Sequence, residues 1–142
     1  VIGEKLAIEV SVQDENELTQ FIGMRFDGHD DERIYGIGLQ PSVWDFKNRT
    51  VPIISVEGGV GRGLQPITGF LNEFLQHGGG NELTTYSASW SYLSSRNHHV
   101  SFDTESIGTL SFGVNTEALA WHEKSLKMNI GYGASLKDSA GK

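Results

Sequence analysis

The sequence has no cysteine, only three prolines, and 11 lysines and arginines against 18 aspartates and glutamates. The absence of cysteine excludes disulfides, thiolate metal sites and cysteine nucleophiles, and it leaves the compartment open. The net charge of −7 argues against nucleic acid as a partner and against binding to an anionic membrane surface. No apolar run approaches the roughly 18 residues of a membrane span, and no signal peptide is recognisable. We therefore expect a soluble protein without a membrane or nucleic-acid partner, with the cytoplasm slightly favoured.

Alternation of apolar and polar residues dominates the chain of 142 residues, a length that suits one domain. Such a period of two is typical of half-buried strands. VPIIS (51–55) is instead a short continuous apolar run, which favours a strand buried on both faces. Many short strands separated by turn-rich segments, such as DGHDDE (27–32) and SSRNHH (94–99), predict an antiparallel sandwich or barrel, with Trp90 in its core. The alternating segments are KLAIEVSV (5–12), FIGMRF (21–26), TTYSASWSYL (84–93), TLSFGV (109–114) and SLKMNIGY (125–132).

One segment has helical rather than strand periodicity. Its apolar residues follow the i, i+3, i+4 spacing of a helix face, Pro66 suits a first turn and Gly78 a C-terminal stop. We therefore expect one short helix within residues 66–77. The apolar residues are Ile67, Phe70, Leu71, Phe74 and Leu75.

The glycine-rich stretch VEGGVGRGLQP (56–66) is not a phosphate loop, because such a loop needs a lysine and a Ser or Thr after its last glycine. Here Arg62 is followed by Gly63 and Leu64. HGGG (77–80) resembles the oxyanion loop of some esterases, but the chain has no G-x-S-x-G elbow to work beside it. Neither a nucleotide site nor an esterase is predicted.

The histidines do not form a metal-binding pattern. His98 and His99 are adjacent, so on a strand they point to opposite faces and cannot chelate one ion together. The other histidines are scattered, without the spacing of metal ligands. We expect no metal and no cofactor.

Two carboxylates, Asp45 and Glu57, lie in turn-rich segments close in sequence to Arg49 and Arg62. Glycoside hydrolysis uses two carboxyl groups that flank the scissile bond, so these residues could build a catalytic site. The alternative is that Arg49 and Arg62 pair with Asp45 and Glu57 and fix the loops. The second interpretation is favoured over the first.

The stretch from Arg33 to Asp103 resembles glycoside hydrolase family 31, the family of α-glucosidases, α-xylosidases and sulfoquinovosidases. In that family, Y-G-x-G-E-Q precedes a loop like LKGR, a proline, a segment like SEQGIGRG and then Q-P. GGGNELTTYSASWSYLSSRNHHVSFD (78–103) is also similar to the family's AGG…TTYAPQPFYLSSRGYG. Leu39 stands where the family usually has glutamate, and Trp90 replaces a usual proline or glutamine. The earlier matching positions are Tyr35, Gly36, Gly38, Gln40, Asp45, Lys47, Arg49, Pro52, Ser55, Glu57, Gly59, Gly61, Arg62, Gln65 and Pro66.

This resemblance is to the bacterial α-glucosidase and sulfoquinovosidase-like branch, and it implies an N-terminal antiparallel β-sandwich of the galactose mutarotase-like kind. Residues 1–142 would form this single domain, without its earliest strands and without the catalytic barrel that follows it. The chain begins inside a strand-like pattern, so we expect a mature or trimmed form. The family's catalytic aspartates lie on the barrel, so no catalytic residue is expected here.

The same resemblance implies that residues of this chain order a loop or line the rim of the substrate pocket. The partners would be the catalytic barrel domain and, through the parent enzyme, a carbohydrate substrate. The alternative is a free-standing carbohydrate-binding or structural β-sandwich, which would need exposed aromatic side chains among Trp44, Trp90 and Trp121. The loop or rim residues would be Gln40, Asp45, Arg49, Glu57 and Arg62.

Overall fold

The computed structural model describes residues 5–13, 21–39, 43–55, 83–135 and 137. Within these ranges, no helix is long and apolar enough to cross a membrane. The helix predicted for residues 66–77 lies outside the described residues. The strands, in chain order, are β1 (Lys5–Ser11), β2 (Phe21–Asp27), β3 (Ile34–Tyr35), β4 (Thr50–Ile53), β5 (Ser91–Ser94), β6 (His98–Asp103), β7 (Gly108–Phe112), β8 (Asn115–Trp121) and β9 (Ser125–Tyr132).

Two antiparallel sheets face each other. A five-stranded sheet has the order β1-β9-β6-β5-β3, and a four-stranded sheet has the order β2-β8-β7-β4. The ring of Tyr92 from the first sheet meets that of Phe112 from the second edge-to-face, with centroids 5.0 Å apart. The predicted all-β antiparallel sandwich is confirmed.

The core lies between the sheets and consists of alternate residues from the central strands. Leu110 and Ala118 from one sheet and Leu126 from the other are completely buried. Trp90 is only 8% exposed, which confirms its predicted place in the core. Its indole Nε1 donates a hydrogen bond to the carbonyl of Ser106 at 2.7 Å, so the polar atom of this buried ring is satisfied.

The prediction that VPIIS is a strand buried on both faces is wrong. Among the residues that the structure describes, strand β4 lies at the edge of the four-stranded sheet and pairs only with β7. Val51 and Ile53 are buried, whereas Pro52 lies half-buried on the other face. A proline cannot donate to a neighbouring strand, which is why it is tolerated at an edge.

The strand predicted for residues 84–93 is shorter in the structure. Only its end belongs to β5, and Tyr86, expected on the same face as Trp90, is 54% exposed. The Thr85 hydroxyl accepts from the backbone N–H of Ser87 at 3.2 Å. Such a local side-chain bond competes with strand pairing.

Strands β6 and β8 were not predicted. The segment SSRNHH was expected to be a break, yet β6 already begins at His98. In β8, the buried residues are Thr116, Ala118 and Ala120, which are too small or too polar to give a clear apolar alternation. Val114, expected to align with Leu110, is exposed because β7 ends at Phe112.

Candidate functional site

The segment Gly36–Leu39 turns the chain sharply after β3. Gly36, Ile37 and Gly38 have φ angles of 85°, 90° and 82°. Glycine adopts this left-handed region readily, whereas a β-branched residue adopts it rarely. The Ile37 side chain is buried in the core, which holds the turn in place. Strain of this kind is concentrated in functional segments, so the turn identifies a candidate site.

Hydrogen bonds join this turn to two other segments. The Leu39 N–H donates to the carbonyl of Ser87 at 3.0 Å, and the Thr85 hydroxyl donates to the carbonyl of Leu39 at 2.5 Å. Ser55 in turn forms an isolated parallel bridge with Thr85. The glycine-rich stretch, which begins at residue 56, therefore comes directly after a residue that is bridged to this turn through Thr85. We call the residues Gly36–Leu39, Ile54–Ser55 and Thr85–Ala88 the Leu39 surface.

The Leu39 surface exposes apolar side chains. Leu39 is 66% exposed, and Tyr86 and Ile54 are also exposed. Isolated exposed apolar residues are ordinary on a protein surface, but a group of them beside a strained turn is typical of a contact with another molecule or domain.

Asp45 lies at the opposite end of β4 from Ser55 and joins the loop before β4 to the beginning of β3. Its Oδ2 forms an ion pair with Arg33 Nη1 at 2.8 Å. Its Oδ1 accepts from the backbone N–H of Lys47 at 3.0 Å and from that of Ile34 at 3.2 Å. The carboxylate is therefore fully engaged in holding loops.

These contacts lower the pKa of Asp45 below its ordinary value of 3.8. Partial burial acts in the opposite direction and is the largest single influence. The N–H of Lys47, the guanidinium of Arg33 and the N–H of Ile34 together outweigh it, because each favours the charged carboxylate. The same pairing raises the pKa of Arg33.

Asp45→Ala is expected to lower the free energy of unfolding by about 2–3 kcal/mol, since it leaves two backbone N–H groups without their charged acceptor. Asp45→Asn keeps an oxygen for both N–H groups and should cost less. Because the folded pKa lies below 3.8, the wild-type stabilisation is present above pH 3.8 and is lost as the pH falls through the folded pKa. Urea unfolding at pH 7 and pH 3 tests both points; an Asp45→Asn protein that loses stability on acidification as steeply as wild type would contradict them.

Of the other predicted site residues, Arg49 is described, and Gln40, Glu57 and Arg62 lie outside the described residues. The backbone of Arg49 accepts from the N–H of Phe112 at 2.9 Å, which fixes the beginning of β4 against β7. Whether these residues line a substrate pocket stays a prediction.

A second group of polar residues, which the sequence did not indicate, surrounds Glu32. This glutamate is buried, and its Oε1 accepts from the hydroxyl of Ser94. The Nε2 atom of His98 lies 3.5 Å from the same oxygen. The backbone N–H of His29 donates to Oε2, with 3.4 Å between nitrogen and oxygen. Arg96 reaches Asp31 outside the group, at 2.6 Å. Glu32 was part of a segment interpreted as a turn, and no periodicity marked it as buried.

The pKa of His98 in this group lies below its ordinary value of 6.5. Burial is the main cause of its lowered pKa, because desolvation disfavours the imidazolium. The Glu32 carboxylate acts in the opposite direction, and Arg96 adds to the lowering. Across the described ranges, no three His, Cys, Asp or Glu side chains are arranged to hold a metal ion.

The sequence matches no protein-family model and no curated protein. Solved structures do match the backbone. A GH31 family sulfoquinovosidase from E. rectale superposes with a TM-score of 0.72 at 20% identity, over 89% of this chain and 19% of its own. The Flavobacterium johnsoniae GH31 dextranase FjDex31A, complexed with glucose, gives a TM-score of 0.63 at 14% identity, over 91% of this chain and 14% of its own. A GH31 α-xylosidase from a soil metagenome gives a TM-score of 0.57 at 17% identity, over 89% of this chain and 15% of its own.

The chain has the fold of a glycoside hydrolase family 31 domain. The GH31 resemblance predicted from the motifs is thus confirmed for the fold. The chain spans no more than 19% of the length of these GH31 proteins. Their activities and substrates belong to the whole proteins and do not follow from the fold alone. What the motif did identify is the strained turn, since both glycines of Y-G-x-G lie in it.

Proposed function

We propose that the chain is an accessory β-sandwich domain, N-terminal to the catalytic barrel of a retaining α-glycosidase, and that it supplies a loop near the barrel active site. The observation that carries the proposal is the fold likeness, which covers 89% of this chain but only 19% of the E. rectale sulfoquinovosidase. A domain that corresponds to so small a part of each glycosidase would assist the catalytic domain rather than contain the catalytic residues. No catalytic residue is assigned to it.

The Leu39 surface supports this proposal physically. Interfaces between domains of one chain are of moderate size and mix apolar with polar groups. Exposed Leu39, Tyr86 and Ile54, with the serine hydroxyls nearby, have that character. Gln40 follows Leu39 in the sequence, and Glu57 and Arg62 follow Ser55. The two segments that contain these three residues would therefore begin at the Leu39 surface.

The proposed role of Arg62 is to order the glycine-rich loop. Gly61 and Gly63 flank Arg62, and Gly59 lies three residues before it. Fixing the backbone of each glycine in one conformation costs roughly 0.5–1 kcal/mol more than fixing that of an alanine. A guanidinium presents five donors in a rigid plane and can hold several acceptors at once. Glu57 would be its partner, so that the two line the pocket rim as a fixed pair.

Exposure of Trp44 favours a second candidate, a free-standing carbohydrate-binding module. This indole is 86% exposed, and Trp121 is also exposed. An exposed aromatic ring can act as a platform on which a sugar stacks. The second candidate requires that the 142-residue chain bind oligosaccharides by itself and that Trp44→Ala abolish this binding.

The test of the accessory-domain proposal begins with the chain encoded beyond residue 142, which should contain a barrel with two catalytic aspartates. In that longer protein, Leu39→Lys is expected to lower kcat/KM for a nitrophenyl α-glycoside at least about tenfold, because it places an unpaired cation against the barrel. The 142-residue chain alone should give no turnover.

Val114→Lys is the matched control, since Val114 is also exposed, at 78% against 66% for Leu39, and lies in the β7–β8 turn at the other end of the sandwich. It should leave kcat/KM unchanged. Equal effects of the two substitutions would remove the Leu39 surface from the proposal. Turnover by the 142-residue chain that disappears in Asp45→Asn or Glu57→Gln would locate the chemistry in this chain instead.

A further inference from the structure

A cavity of about 270 Å³ opens between the two sheets, at the end of the sandwich where β2, β5 and β9 end. This end is opposite to the Leu39 surface, because β5 begins near Thr85–Ala88 and ends beside Glu32. Side chains of both sheets line the apolar part of the cavity, among them Phe26, Tyr92 and Ile130. The polar part of the lining is formed by Asp27, His29, Glu32, Arg96, His98 and Tyr132.

The hydroxyl of Tyr92 lacks a hydrogen-bond partner among the described residues, although the residue is only 2% exposed. Burial raises the pKa of Tyr92 most, and the charges of Glu32 and Tyr132 raise it further. Buried hydroxyls are nearly always hydrogen-bonded to protein, water or a ligand. The cavity therefore contains a buried group that needs a partner which the described protein does not provide.

The charges around the cavity restrict what that partner can be. An anion would meet Glu32 and Asp27, and a cation would meet Arg96. Arg96 is already paired with Asp31, so it does not offer a free cation to an anionic ligand. Donors and acceptors are both present, however, in the hydroxyls of Tyr92 and Tyr132 and in the imidazole of His98. A neutral molecule with several hydroxyl groups, each donor and acceptor at once, satisfies such a set.

The size of the cavity sets the remaining limit. A water molecule occupies about 30 Å³ in the liquid, so the space is much larger than a single bridging water needs. It lies just below the usual range for ligand pockets, which begins at about 300 Å³. One sugar ring fits this volume, whereas an oligosaccharide could enter with one terminal unit only.

We infer that the Glu32 cavity is a binding site for one neutral sugar unit, with Glu32, His98 and Tyr92 as its polar contacts. The site lies at the far end of the sandwich from the Leu39 surface. It does not depend on the proposed accessory role, since a sugar could bind here in a glycosidase domain or in a free-standing module. Its ligand would be held without chemical change.

The experiment is a titration of the 142-residue chain with glucose, galactose and xylose, followed by NMR of the imidazole and tyrosine ring resonances. Saturable shifts of His98 and Tyr92 are expected with at least one of these sugars. Tyr92→Phe removes only the hydroxyl and should weaken binding about three- to tenfold, the equivalent of one hydrogen bond. Its unfolding midpoint should be unchanged or higher, because the lost hydroxyl has no hydrogen-bond partner in the part of the chain that the structure describes.

His99→Gln is the matched control, since His99 is adjacent in β6 and lies on the opposite face of the sheet. It should leave the affinity unchanged. Glucosamine and glucuronate test the charge argument, and binding of either one more tightly than glucose overturns the assignment of a neutral ligand. Absence of saturable shifts with all three sugars means that water fills the cavity and overturns the site itself. If binding is unchanged in Tyr92→Phe but lost in Trp44→Ala, the sugar binds at Trp44, and the proposed site in the cavity is overturned as well.

Discussion

Gly38→Ala is expected to lower the free energy of unfolding by about 2–4 kcal/mol, with a matching fall in the urea midpoint. Two effects add. Alanine pays for the left-handed φ of 82°, and its Cβ would lie 1.9 Å from the carbonyl oxygen of Ser87. That oxygen accepts the hydrogen bond from Leu39 N–H, so the turn cannot yield without losing the contact that closes it.

Gly36→Ala separates the two effects. Gly36 has a φ of 85°, almost the same as that of Gly38, but a Cβ there would meet nothing within 4 Å. It should cost only the conformational strain, about 1–2 kcal/mol. The difference between the two variants measures the close approach of Gly38 to Ser87. Equal losses in urea unfolding, with equal hydrogen exchange at the Leu39 amide, would contradict this approach.

Gly108→Ala is expected to lower the free energy of unfolding by about 3 kcal/mol, because it overpacks the core where β7 begins, beside Trp90. An added Cβ would lie 2.0 Å from the carbonyl oxygen of Leu119 in the neighbouring strand and 2.6 Å from the ring of Trp90 in the facing sheet. Neither can move freely, since the Leu119 backbone is part of β8 and the Trp90 indole is fixed by its bond to Ser106. The near-UV circular dichroism of Trp90 should change together with the unfolding midpoint.

Gly131→Ala is the control for Gly108. Gly131 also lies in a strand, β9, and a Cβ there would meet nothing within 4 Å. Alanine should raise the free energy of unfolding by about 0.5 kcal/mol, because it restricts the unfolded backbone more than glycine does. If Gly108→Ala is as well tolerated as Gly131→Ala, the close packing of Trp90 over β7 is wrong.

Strands that face the core with large apolar residues could be predicted from the sequence. The alternations in 21–26 and 125–132 correspond to β2 and β9, because Leu, Ile, Met and Phe at every second position leave little choice of face. The alternation in 5–12 also corresponds to a strand, β1, but every residue of β1 is exposed, so its apolar face does not lie in the core. β8 was missed, since alanine and threonine carry no comparable signal. Which strand lies at an edge was also beyond the pattern, as VPIIS shows, because edge position depends on pairing with distant segments.

The candidate sites divide in the same way. Gly36 and Gly38 could be identified from the Y-G-x-G stretch, since a glycine requirement is local to the backbone. The partner of Asp45 could not, because Arg33 reaches it only when the beginning of β3 lies beside the loop before β4. The Glu32 cavity had no signal either. Its walls come from five strands and from two loops, and no short stretch contains them.

The sequence by itself determined the all-β class, the core positions that carry large apolar side chains and the glycines of the strained turn. Each depends on the chemistry of single residues and their near neighbours. Only the tertiary structure decided which carboxylate meets which cation, and that a buried phenol, a carboxylate and an imidazole share one cavity. Glu32, Tyr92 and His98 are brought together by the pairing of β3 with β5 and of β5 with β6. That pairing buries apolar side chains from segments that are far apart in the sequence, and no local pattern contains such a relation.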